Sequence, residues 1–66
     1  MKIIAKSLYH VLLEYRNYRN DNGMEPDALL NDIIETFIPT TSGSAKDARA
    51  YLKSKNIEYQ IKRPRL

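Results

Sequence analysis

Between Ile4 and Tyr18 the apolar residues Ile4, Leu8, Val11, Leu12, Tyr15 and Tyr18 recur at steps of three and four, which returns them to one helical face. Lys6, His10, Glu14, Asn17 and Arg19 fill the rest of the wheel, so the spacing predicts an amphipathic helix lying on a core. Ser7 suits its N-cap, which leaves residues 1–5 free to run extended. The run Asn20-Asp-Asn-Gly23 stops the helix, because Asn and Gly tolerate the left-handed backbone of a C-terminal cap.

Pro26 carries the fixed φ that suits a first helical position, and Glu25 and Asp27 place negative charge where the helix dipole favours it. A second helix is expected from there, with Leu29, Leu30, Ile33, Ile34 and Phe37 as its buried stripe and Asn31, Asp32 and Glu35 in water. Pro39 ends it by forcing the preceding residue out of the α region. The polar stretch 40–43 leads to Ser44, a candidate cap for a third helix with Asp47 three residues later. Ala48, Tyr51 and Leu52 form its inward face, and Lys46, Arg49 and Lys53 line up on the outer one. Asn56 is expected as a left-handed cap with Ile57 folding back behind it.

The period then changes to two. Ile57, Tyr59 and Ile61 alternate with Glu58, Gln60 and Lys62, the pattern of a half-buried strand. Its partner is residues 1–5 of the same chain, the same strand of another copy, or no strand at all if the segment packs on the helices as an arm. The expected architecture is mainly α, a small three-helix bundle with a C-terminal extended or β segment. Residues 1–62 are expected to form one domain; Pro64 prevents the strand from continuing, and 63–66 are expected to form a flexible basic tail.

Sixty-six residues lie near the lower limit for a core without disulfides or metal, and there is no cysteine to supply a disulfide or a thiolate metal site. Hydrophobic residues at 42% and charged ones at 29% are ordinary globular usage, so the chain is expected to fold. No apolar run approaches the ~20 residues needed to span a bilayer, and no signal-peptide pattern opens the chain. A cytoplasmic, membrane-free protein is the expectation.

Charge is sorted along the chain. Residues 1–20 sum to +3, residues 21–43 to −5 and residues 44–66 to +5. One surface is therefore expected to be basic and another acidic.

The segment Lys6-Ser-Leu-Tyr-His-Val-Leu-Leu-Glu-Tyr-Arg16 resembles the opening helix of the YozE-like family of small bacterial proteins, with its Ser-aromatic-Tyr, Leu-Leu and Tyr-Arg pattern. Pro39-Thr-Thr-Ser42, followed by Tyr51-Leu52, is similar to that family's Phe-Pro-x-x-Ser stretch and its helix ending in Tyr-Leu. The resemblance covers roughly three quarters of the chain. It implies a compact fold like a sterile alpha motif (SAM) and no catalytic residues. The sequence departs from the pattern at Ile38 and Ser44, and a basic strand-like segment stands where the family has an acidic, aromatic last helix.

Candidate chemistry is sparse. His10 is the lone histidine with no second imidazole or thiol nearby, so it reads as a helix-flank residue and no metal site is expected. Asp27, Asp32 and Glu35 as an acid–base set would need burial to move their pKa values, and they read as a solvated face. Thr40, Thr41, Ser42 and Ser44 lack a positioned base and read as turn and cap residues. The five tyrosines, 9, 15, 18, 51 and 59, fall on or near core faces; one left exposed beside Arg16, Arg19 or Arg49 has a ring to stack on a base or a partner side chain.

Lys46, Arg49, Lys53, Lys55, Lys62, Arg63 and Arg65 are the candidate nucleic-acid-binding set. About six phosphate contacts would make a complex lose several log units of affinity over a modest rise in salt. The alternative for these residues is a solubilising face that balances the acidic second helix. A helix-turn-helix fits poorly, because the 39–43 connection is long and Arg49 is nearly alone in suiting base edges. The expected function is a non-enzymatic binding module without cofactors, monomeric or dimeric. Its partner is nucleic acid held at the phosphate backbone, or alternatively a protein met by a SAM-like interaction surface.

Overall fold

A computed structural model describes residues 2–62. The elements run β1 (Lys2–Ala5), α1 (Leu8–Asp21), α2 (Ala28–Glu35), α3 (Ser42–Ser54) and β2 (Glu58–Ile61). The fold is mainly α, three helices with a two-stranded sheet. β1 and β2 pair in parallel, Lys2 opposite Glu58 through Ala5 opposite Ile61, and the Lys62 amide continues the ladder by donating to the Ala5 carbonyl at 2.8 Å. A parallel pair needs a crossover of about a dozen residues or more, and here all three helices supply it. Of the three expected arrangements for the last strand, the intramolecular one forms.

Strand alternation turns Ile3, Ala5, Tyr59 and Ile61 toward the helices and leaves Lys2, Ile4, Glu58 and Gln60 exposed. This corrects the place of Ile4. It belongs to a strand rather than to the α1 stripe, and the residue buried beside it is Ile3.

α1 starts as its cap predicts, with the Ser7 hydroxyl accepting the His10 amide at 3.3 Å. It ends in a Schellman pair, Gly23 N–H to Asn20 C=O and Met24 N–H to Arg19 C=O, with Gly23 at φ 65°. α2 begins two residues later than expected. Asp27, not Pro26, sets its start, because the Asp27 carboxylate in an extended backbone accepts the Leu30 amide at 3.2 Å. It also stops short of Phe37 at Glu35, where the Thr36 hydroxyl donates to the Asp32 carbonyl. Eight residues give room for one i, i+4 buried pair, Leu30 and Ile34. Ile33 and Phe37 are half-buried and Leu29 is 59% exposed, so the five-residue stripe is not realised.

α3 begins at Ser42 behind Thr41. Ser44 is therefore not its cap: it lies in the first turn, where its hydroxyl oxygen accepts the Ile38 amide at 3.0 Å and ties the 37–41 connection to the helix. Its end matches expectation. Asn56 sits at φ 56°, with Asn56 N–H to Lys53 C=O and Ile57 N–H to Leu52 C=O completing a second Schellman pair that turns the chain into β2.

The core gathers Val11, Leu12, Leu30, Ala48, Leu52 and their neighbours, and among the described residues no polar side chain is buried. Around it, α1 contacts both strands and both other helices. A polar clasp at one end joins the three helices. Tyr51 donates its hydroxyl to the Asp27 carboxylate at 2.7 Å, and the Arg19 guanidinium reaches the Tyr15 hydroxyl and the Glu25 carbonyl.

Candidate nucleic-acid interface

At about 100° per residue, Lys46, Arg49 and Lys53 fall within an arc of roughly 60° on α3, while Asp47 lies about 100° beyond that arc. All four are exposed. The helix thus separates two concave surfaces. On one flank an open groove of about 450 Å³ runs between α2 and α3, with Leu29, Ile33 and Tyr51 along it; its charged residues are Asp32 and Asp47. On the other flank lies an open concavity of about 720 Å³, and among the described residues its fixed charges are Lys6 and Arg49.

The cationic concavity is built by segments distant in sequence. α1 contributes Tyr9 and His10 just after its cap, Phe37 comes from the connection after α2, α3 supplies Arg49, and Tyr59 projects from the inward face of β2. The Tyr9 ring packs against Phe37 at 5.3 Å and meets His10 edge-on at 6.0 Å. Ser7 and His10 Nδ1 are 2.6 Å apart, so the cap hydroxyl also holds the imidazole. When that hydroxyl donates to Nδ1, the ring proton resides on Nε2. The serine and histidine are thus occupied with each other and with the helix terminus, and their i, i+3 spacing across an N-cap was the sequence signal for this contact.

The candidate cations do not all meet here. Lys46 and Lys53 continue the Arg49 ridge, and Lys62 is exposed directly after β2, whose Ile61 borders the concavity. Lys55 is drawn away. Its ammonium sits 3.8 Å from the Asp27 carboxylate and over the Tyr51 ring, at the clasp. Arg63 and Arg65 lie outside the described residues. Lys6 belongs with the site although the sequence reading did not include it, because only the folded β1–α1 corner brings it near Arg49.

Asp27 is a structural acid. The Tyr51 hydroxyl first, then the Leu30 amide and the Lys55 and Arg19 charges, outweigh burial and hold its carboxyl below the ordinary aspartate value. Burial and then the Asp27 carboxylate push the Tyr51 phenol well above its usual value. Asp32 and Glu35 are exposed, and among the described residues no cluster of three metal-ligating side chains forms. Of the tyrosines, 15 and 51 are core, 9 and 59 are half-buried at the concavity, and 18 is exposed and stacked on Tyr15. Among the described residues no helix is long and apolar enough to cross a membrane. No family model, curated protein or solved structure matches the chain, so the resemblance to the YozE-like family rests on its two sequence blocks.

Proposed function

We propose that the protein is a non-enzymatic binding module that holds nucleic acid by largely electrostatic, sequence-tolerant contacts along the cationic flank of α3. The observation that carries this reading is the division made by that helix. Lys46, Arg49 and Lys53 form one exposed ridge beside a concavity whose fixed charges are Lys6 and Arg49, while Asp32 and Asp47 face the opposite groove. Cations on one arc with no interleaved carboxylate suit a phosphate backbone, and each contact contributes about 0.9 to the log–log salt slope on a duplex. The cysteine-free composition suits a cytoplasmic setting.

Fluorescence anisotropy with a mixed-sequence duplex and its single strand, at low and near-physiological salt, tests the reading. Binding with a steep salt slope is expected, and Lys46→Glu with Arg49→Glu is expected to abolish it while the chain stays folded. Retention unchanged in the double variant would refute the proposal.

A second reading is a protein-interaction module, favoured by one observation: Leu29, 59% exposed, stands beside Asp32 and Asp47 in the α2–α3 groove. Membership of the YozE-like family, with its SAM-like surfaces, belongs to this reading. Size-exclusion chromatography at two salt concentrations separates the cases. Self-association lost at high salt supports a homotypic acidic-to-basic contact, and a monomer at both concentrations removes it.

A further inference from the structure

Resting on the nucleic-acid reading, we infer that the concavity between α1, α3 and β2 is a base-binding site, so that the preferred ligand is an unpaired strand rather than a duplex. Tyr9, Phe37 and Tyr59 line it and are all half-buried: each ring is fixed by packing against the core yet keeps surface open to the concavity. A base has a π-face whatever its identity, and aromatic side chains bind that face without reading sequence. The cations stand where a strand entering the site would carry its phosphates. Lys6 and Arg49 line the same concavity as the rings, and Lys46 and Lys53 extend the exposed ridge along α3.

Charge complementarity selects the occupant. Among the described residues no carboxylate lines this concavity, so they oppose no anionic backbone there, whereas the α2–α3 groove presents Asp32 and Asp47. The apolar walls then distinguish strand from duplex. A duplex keeps its bases stacked and offers only phosphates to the ridge, while a single strand can turn a base inward onto Tyr9, Phe37 and Tyr59. Among the described residues the Tyr9 and Tyr59 hydroxyls have no hydrogen-bond partner, which leaves them available to base edges.

The test is anisotropy on the full chain at low salt with three labelled probes of equal length: an oligothymidine strand, a strand of abasic spacers carrying the same phosphates, and a duplex. The oligothymidine strand is expected to bind about tenfold more tightly than the abasic strand, the order of magnitude of one base–aromatic stack, and more tightly than the duplex. Tyr59→Leu, which keeps apolar bulk but removes the ring, is expected to bring the first ratio toward one. The ratio itself is measured on the unaltered chain and so does not depend on the variant folding. Equal binding of base-bearing and abasic strands would overturn this inference and leave backbone binding along α3 standing. Absence of binding by all three probes at low salt would overturn both.

Discussion

The two flanks of α3 offer concave surfaces of comparable form and opposite charge. The α2–α3 groove is lined by Leu29 and Ile33 together with Asp32 and Asp47, and the opposite concavity by Tyr9, Phe37 and Tyr59 together with Lys6 and Arg49. Both are bounded by one thirteen-residue helix whose third face, Ala48, Tyr51 and Leu52, is buried. A helix with one face in the core has two flanks and an outer ridge to present, and the 3.6-residue period decides which charges share each. Lys46 and Asp47 are neighbours in sequence, yet they serve different surfaces. Net charge on the segment therefore says less than the angle at which each charge leaves the helix.

That division depends on how α3 is rotated about its axis, and the clasp at its C-terminal end pins the rotation. The strongest way to disturb both flanks together is Asp27→Ala. It removes the N-cap of α2, the acceptor for the Tyr51 hydroxyl and the partner of Lys55. A lost cap costs about 1 kcal/mol and a lost hydrogen bond to a half-buried group about as much, so a loss of roughly 2 kcal/mol is expected. In a domain of this size that lowers the melting temperature by about 10 °C, measurable by circular dichroism. The pH dependence follows from the direction of the shift. Because the folded state holds the Asp27 carboxyl below its ordinary value of 3.8, its contribution is full above that value and is lost as pH falls through the lower, folded one. The melting-temperature gap between wild type and Asp27→Ala should accordingly narrow in that acid range. A gap constant with pH would show that the carboxylate form is not what holds the clasp.

The contrast between local and distant signals also explains what the sequence made legible. The Ser7 cap, the Asn56 turn with Ile57 behind it and the change of period at residue 57 are each decided within a few residues, and each forms as expected. The start of α2 was misplaced because Pro26 and Asp27 both carry start signals, and the carboxylate bond to Leu30 chooses between them only in the folded chain. The exposure of Leu29 was not legible. Periodicity says which residues share a face of α2, but not how much of that face the neighbouring helices cover. Pairing of β1 with β2 was one of three possibilities that alternation cannot rank, and the aromatic concavity depends on it. Without the sheet, Tyr59 has no reason to meet Tyr9 and Arg49.

Lys53 and Lys55 sharpen the comparison at the smallest scale. They are two residues apart with the same charge and similar exposure, and sequence alone assigned both to one binding set. The fold separates them: Lys53 continues the outer ridge, while Lys55 turns to Asp27 at 3.8 Å with its side chain 44% exposed. An ion pair that accessible to solvent is worth at most about 0.5 kcal/mol, so Lys55→Gln is expected to lower the melting temperature by about 2 °C and to leave the duplex salt slope as it was. Lys53→Gln is expected to do the reverse, keeping the melting temperature and reducing the slope by about 0.9, one phosphate contact. Equal slope losses in the two variants would mean that the ligand responds to the summed field of the segment and not to a ridge. The angular sorting of charge about α3 would then have no bearing on binding.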